Sequence, residues 1–162
     1  MQVKVFTTGG TIDKVYFDAK SQYEVGESNV QLLFKEMNVG FDYDVESILR
    51  KDSLDMTDAD RAAILTKVQQ APCPKILITH GTDTMIDTAK VIEGIPDKTI
   101  VLTGSMYPAR FRDSDAVFNL GCAVVAAQTL PSGVYIAMNG CIFDPHHSKK
   151  NVDLNRFERT SQ

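Results

Sequence analysis

Apolar positions in this chain switch between strand-like alternation and helix-like spacing, and the switches fall at glycines, prolines and hydroxyl clusters. Residues 1–7 read as a strand that stops at the glycine corner Thr8-Gly9-Gly10-Thr11-Ile12. Residues 13–26 are polar, punctuated by Asp13, Asp18, Ser21 and Gly26 and by the aromatics Tyr16, Phe17 and Tyr23. They predict a long loop or a hairpin, of the kind that is usually functional or mobile. Ser28 and Gln31 have the spacing of a capping box. Val30, Leu33, Phe34 and Met37 then give one apolar helical face. Residues 42–49 predict a strand, followed by a polar corner at 50–56. Thr57 caps a second helix, with Asp58 and Asp60 in its first turn. That helix runs to about Gln70 and is stopped by Ala71-Pro72-Cys73-Pro74.

The run Ile76-Leu77-Ile78-Thr79-His80-Gly81-Thr82-Asp83-Thr84-Met85 is a buried strand ending in a glycine corner, with a helix directly behind it. That helix carries Met85, Ala89 and Ile92 on one stripe and closes at Gly94 and Pro96. Residues 99–102 give another apolar strand, ending at Thr103-Gly104-Ser105-Met106. A polar segment at 107–114 leads into a helix over 115–128, and 134–138 is the next strand. Cys141-Ile142-Phe143 extends the sheet, 144–150 reads as a polar loop, and 151–162 as a polar tail with one helical turn. Alternating strands and helices with short connections predict an α/β fold: an open, mostly parallel sheet with helices on both faces, Rossmann- or flavodoxin-like. One domain is expected over 1–155, with a tail at 156–162. The glycine corners after the strands then meet at the carboxyl edge of the sheet, where such folds bind ligands.

Composition narrows the classes. Apolar content of 43% and charged content of 23% suit a globular domain. A net charge of −4, with no basic block beyond Lys149-Lys150, argues against a nucleic-acid partner. No apolar run approaches the roughly 20 residues of a membrane span. The first residues lack a charged leader, a long apolar core and a cleavage site, so no signal peptide is expected. Three cysteines, Cys73, Cys122 and Cys141, fit free thiols in a reducing cytoplasm.

Thr8-Gly9-Gly10-Thr11 by itself reads first as a tight strand-to-loop turn. It is not a dinucleotide fingerprint, and no Walker-type motif occurs. With Thr82, Asp83 and a lysine, Thr11 gains another meaning. A threonine hydroxyl attacks a carbonyl once a base takes its proton, and a lysine oriented by an aspartate can be that base. Backbone N–H groups at glycine corners can stabilise an oxyanion. His80 is expected to pack or bond locally, and His146 and His147, adjacent in a loop near Asp144, are neighbours of a kind that seldom completes a metal site without further ligands. Tyr23 is either a surface aromatic or part of a lid.

Thr8-Gly9-Gly10-Thr11-Ile12 together with His80-Gly81-Thr82-Asp83-Thr84-Met85 resembles the two signature motifs of the bacterial-type L-asparaginase/glutaminase family. Ser21-Gln22-Tyr23-Glu24-Val25-Gly26, Asp52-Ser53-Leu54-Asp55-Met56, Leu102-Thr103-Gly104-Ser105-Met106 and Phe118-Asn119-Leu120 resemble the family in the same order. The resemblance spans nearly the whole chain but only the family's amino-terminal domain. It implies hydrolysis of the side-chain amide of asparagine, and often glutamine, through an acyl-enzyme and without a cofactor. By motif, Thr11 matches the nucleophile and Tyr23 the tyrosine of a mobile lid. Thr82, Asp83 and a lysine match the second catalytic group. Lys150, followed by Asn151, fits that lysine slightly better than Lys149, although Asp144-Pro145-His146-His147 departs from the family's wording. Ser53 and Asp83 match the holders of the substrate's α-carboxylate and α-amine, with Gly10, Gly81 and Ser105 completing the binding set. The implied partners are a small amino-acid amide and a second copy in a homodimer, with neither nucleic acid nor membrane. In the family a second domain, supplied by the neighbouring subunit, closes the site; it is missing here, as in a short homologue or a fragment. Two other classes remain: a non-catalytic module holding an amino acid in the same cleft, and a nucleotide-binding α/β domain.

Overall fold

Ile76, Leu77 and Ile78 are fully buried, and the strand they form lies inside a six-stranded sheet. The computed structural model describes residues 2–20 and 22–160, so readings that touch Met1, Ser21, Ser161 and Gln162 lie outside the described residues. The first half of the chain runs β1 (Gln2–Gly9), β2 (Lys14–Phe17), β3 (Gln22–Val25), α1 (Val30–Glu36), β4 (Asp42–Lys51) and α2 (Asp58–Gln70). It continues through β5 (Lys75–Thr79), α3 (Met85–Val91), β6 (Thr99–Thr103), α4 (Ala116–Thr129), β7 (Gly133–Met138) and β8 (Cys141–Phe143). The last strands are β9 (Ser148–Asn151) and β10 (Arg156–Arg159).

The sheet order is β4-β1-β5-β6-β7-β8, with every neighbouring pair parallel except the antiparallel β7–β8 edge. The expected α/β class and its mostly parallel sheet are therefore present. Alternation sorts the strand residues onto two cores. Phe6, Ile76, Ile78, Ile100 and Leu102 pack with Ile64 and Val68 of α2 and Met85 and Ala89 of α3. Val3, Val5, Leu77 and Val101 pack with Leu33 and Phe34 of α1 and with Leu120 and Ala123 of α4. The chain leaves β1 for one edge of the sheet and returns to β5 on β1's other side. The switch in strand order thus falls between β1 and β5, the place where open parallel sheets take ligands.

Local predictions divide by how far they depend on tertiary partners. The Thr57 box forms: Asp60 N–H donates to Thr57 Oγ1 at 3.3 Å, and Thr57 N–H donates to Asp60 Oδ2 at 2.9 Å. The box expected at Ser28 and Gln31 does not. Ser28 Oγ accepts from Val30 N–H at 3.3 Å, and Asn29 takes the cap position with helical backbone angles. The Asn29 side chain is held elsewhere, against the Ile12 carbonyl and Arg110. Met37 is exposed, so the buried face of α1 ends at Phe34. The largest difference lies at the end of the chain. Where the sequence predicts a polar loop and tail with a helical turn, β9 and β10 pair antiparallel, and Phe157 is buried against Phe143. A single apolar residue among charged neighbours gives no period to read.

Candidate active site

The corners after four strands pack against one another through glycines. Gly10 has a φ of 86°, and a Cβ placed on it would lie 2.5 Å from both Cα and N of Gly81. A Cβ on Gly81 would lie 2.6 Å from Ser53 Oγ, and one on Gly104 would collide with the His80 carbonyl. Only glycine permits these approaches. They bring the turn Thr11–Asp13 after β1, the turn Ser53–Asp55 after β4, and the corners after β5 and β6 to one place. Hydrogen bonds fix the arrangement: Gly10 N–H to Lys51 O at 2.9 Å, Thr8 Oγ1 to Thr79 O at 2.9 Å, and Thr84 Oγ1 to Ser53 O at 2.8 Å. Thr11 follows Gly10 and is half-buried. Ser53 Oγ is buried and has no hydrogen-bond partner among the described residues.

Lys150 reaches this place from the far end of the chain. Its Nζ donates to Thr82 Oγ1 at 2.8 Å and to Asp83 Oδ1 at 2.6 Å. Strand alternation sends the two lysines to different partners. Lys150 turns inward at the β9 position paired with buried Phe157, whereas Lys149 lies 3.9 Å from Glu158. The Lys150 side chain is 15% exposed and that of Asp83 38%, so the pair adds little to stability. What it fixes is geometry: an amine held between a hydroxyl and a carboxylate.

His80 supports the corner from behind. It is fully buried, with Nδ1 2.7 Å from the Gly81 carbonyl and Nε2 2.8 Å from Thr88 Oγ1. A carbonyl only accepts, so Nδ1 carries the proton and Nε2 accepts from Thr88. Burial lowers the imidazole pKa to about 4, which keeps the ring neutral. Ser105 bonds within its own loop: its buried hydroxyl donates to the Tyr107 carbonyl at 2.5 Å.

Tyr23 lies on the β2–β3 hairpin, one of the two forms expected for residues 13–26. Its ring meets Tyr16 at 5.4 Å and Phe111 at 5.9 Å, both edge-on. The hairpin is fastened at its base. The Asp13 carbonyl accepts from Gly26 N–H at 2.8 Å, and Lys14 pairs with Asp52 at 2.6 Å. The Asp13 carboxyl is buried and accepts from Asn29 N–H at 2.9 Å. Burial raises its pKa to about 6. Reading the sequence alone missed Asp13, Asn29, Ala109, Arg110 and Phe111 as parts of this assembly. Their contacts join residues 16 to 97 positions apart, and no local spacing signals them. His146 bonds Glu93 at 2.7 Å, and among the described residues no cluster of three His, Cys, Asp or Glu side chains suits a metal.

The model of the asparaginase N-terminal domain matches residues 2–158. The chain belongs to the asparaginase family. It is 33% identical over 154 residues to L-asparaginase 2 of Escherichia coli strain K12, covering 88% of this chain and 44% of that protein. In structure it is similar to the thermostable L-asparaginase from Thermococcus kodakarensis, with a TM-score of 0.87 and 30% identity over 98% of this chain and 51% of that one. The probable cytoplasmic L-asparaginase from Campylobacter jejuni gives a TM-score of 0.79 and 28% identity with the same coverage. The chain thus spans about half the length of these relatives. The matched span takes in the corners at residues 8–12 and 80–85 and the strand that carries Lys150.

Proposed function

We propose that this chain is an amidohydrolase of the asparaginase type, converting the side-chain amide of asparagine or a related amide to the acid and ammonia. The observation that carries this reading is Lys150 Nζ held 2.8 Å from Thr82 Oγ1 and 2.6 Å from Asp83 Oδ1, on the corner whose Gly81 packs on Gly10 beside Thr11. In this reading Thr11 Oγ attacks the amide carbon and its proton passes toward the leaving nitrogen. Ammonia departs, leaving an ester on Thr11, and water hydrolyses that ester. Backbone N–H groups at the glycine corner stabilise the oxyanion at each addition. Thr82, Asp83 and Lys150 form the proton-handling group. Asp83 also receives the substrate ammonium, and Ser53, whose buried hydroxyl is unpartnered among the described residues, lies where the α-carboxylate is bound. Tyr23 serves from the hairpin.

The test is ammonia release from L-asparagine, L-glutamine and related amides by wild type and Thr11→Ala. The expected result is turnover that Thr11→Ala reduces by at least about 10³-fold. Saturable binding of L-aspartate with no turnover on any amide would replace this reading with an amino-acid-binding module. Stabilisation by nucleotides and not by amino acids would replace it with a nucleotide-binding domain.

A homodimer in the cytoplasm completes the proposal. Val117, Phe118 and Val125 stand exposed on α4 beside a groove of about 610 Å³, an apolar surface suited to a second copy. Sedimentation that shows a monomer at every concentration would refute the dimer. All three cysteines are free, and among the described residues no helix is long and apolar enough to cross a membrane.

A further inference from the structure

Segment 107–114 lies between β6 and α4 and is not part of the proton-handling group, yet three of its consecutive residues reach, in turn, the Thr11 turn, Asn29 at the start of α1, and the hairpin. Ala109 N–H donates to the Ile12 carbonyl at 3.1 Å. Arg110 Nε donates to Asn29 Oδ1 at 3.3 Å, and Asn29 N–H in turn donates to the Asp13 carboxyl. Phe111 puts its ring 5.9 Å from that of Tyr23, edge-on. The segment is itself rigidly braced. The Asp115 carboxylate accepts from Met106 and Tyr107 N–H at 3.0 to 3.1 Å, and the Tyr107 carbonyl accepts from Ser105 and Ser114. Asn119 ties Asp115 to the Gly104 carbonyl, and so to the glycine corners. A firm support therefore faces a two-stranded hairpin, and isolated two-stranded hairpins are marginal in water.

Phe111 is 43% exposed and Tyr23 49% exposed, so neither ring belongs to the core. Global stability does not need their contact. The position of the hairpin does, because Tyr16 and Phe111 are the rings that Tyr23 meets.

We propose that Phe111 is a positioning residue: its ring seats Tyr23, and segment 107–114 thereby holds the β2–β3 hairpin in register with the Thr11 turn. The kinetic consequence rests on the amidohydrolase reading; the structural consequence does not. Phe111 acts through Tyr23 and touches no reacting atom. Loss of the ring frees the hairpin, and Phe111→Tyr, which keeps the ring, preserves it.

The test measures hydrogen exchange of the full chain by mass spectrometry, alongside ammonia release. In Phe111→Ala, peptides spanning residues 14–25 are expected to exchange about three- to tenfold faster, the worth of one ring pair. Strands β1, β5 and β6 keep their protection, and Phe111→Tyr behaves as wild type. In the kinetic measurement kcat falls by a similar factor in Phe111→Ala, while the affinity for L-aspartate changes by less than about twofold. Phe111→Tyr restores kcat. Unchanged exchange at 14–25 in Phe111→Ala would overturn the proposal. So would equal acceleration in Phe111→Tyr, or acceleration spread through the central strands. If the wild type releases no ammonia from any amide, the amidohydrolase reading falls, and the exchange measurement still decides whether Phe111 seats the hairpin.

Discussion

Gly10 and Gly81 meet backbone to backbone, so closely that a methyl on Gly10 would lie 2.5 Å from the Gly81 Cα. This contact joins the corners after β1 and β5 at the switch in strand order. Gly10→Ala meets two penalties at once. Its φ of 86° is strained for any side chain, and the obstructing atoms are backbone, which cannot rotate away. The variant is expected to lose about 2 kcal/mol or more of stability in urea unfolding. Gly121→Ala is the control. It lies in α4 with nothing within 4 Å of its added methyl, and should gain about 0.5 to 1 kcal/mol.

Lys150 and Lys149 differ in what they touch, and the proposed chemistry makes that difference measurable. Lys150→Met removes the amine held by Thr82 and Asp83, and should lower amide hydrolysis by about 10²-fold or more. Lys149→Met removes an exposed amine whose partner, Glu158, lies 3.9 Å away, and should keep turnover within about twofold. Both variants should unfold within about 1 kcal/mol of wild type, because neither ion pair is buried. Equal turnover in the two variants would remove Lys150 from the mechanism.

The sheet, its helices and the glycine corners were legible in the sequence because each depends on local spacing. Ile76-Leu77-Ile78 reads as a buried strand in any context, and the Thr57 box closes within four residues. The convergence of Thr8-Gly9-Gly10-Thr11 on His80-Gly81-Thr82 followed from parallel topology, which puts all strand ends on one edge. The Ser28–Gln31 box does not form: Ser28 Oγ takes only Val30 N–H, and Asn29, at the cap position, turns its side chain to Ile12 and Arg110, partners that only the folded chain supplies. The motif slightly favours position 150 over 149, and the alternation that carries Lys150 toward Thr82 and Asp83 belongs to a strand that charged residues conceal. The hairpin's attachment to Phe111 has no local signature at all.

Asp13 and His80 give stability opposite dependences on pH over almost the same range. The Asp13 carboxyl, raised by burial to about 6 from 3.8, favours the folded state when protonated. Its contribution is complete below pH 3.8 and is lost as pH rises through 6. His80, lowered by burial to about 4 from 6.5, favours the folded state when neutral. Its contribution is complete above pH 6.5 and is lost as pH falls through 4. Each amounts to about 3 kcal/mol at most, so the two largely cancel between pH 4 and 6. Asp13→Asn should expose the histidine, giving a protein that weakens steeply as pH falls. His80→Gln should expose the carboxyl, giving one that strengthens over the same interval. Urea midpoints at half-unit steps of pH would show whether the slopes diverge in this way.

Phe157 is 3% exposed and packs on Phe143 at a ring separation of 6.1 Å, in a strand otherwise made of Arg156, Glu158 and Arg159. Its register partner is Lys150. The ring therefore does two things: it adds to the core, and it anchors the hairpin that presents the lysine. Phe157→Ala should cost about 3 to 4 kcal/mol in unfolding, the usual cost of a buried phenyl ring. Phe157→Leu, which keeps most of the volume, should cost less than about 1.5 kcal/mol. If the anchor matters for presentation, Phe157→Ala should also lower turnover at temperatures where it remains fully folded. A variant that loses stability and keeps full turnover when folded would show that β9 holds Lys150 without help from β10.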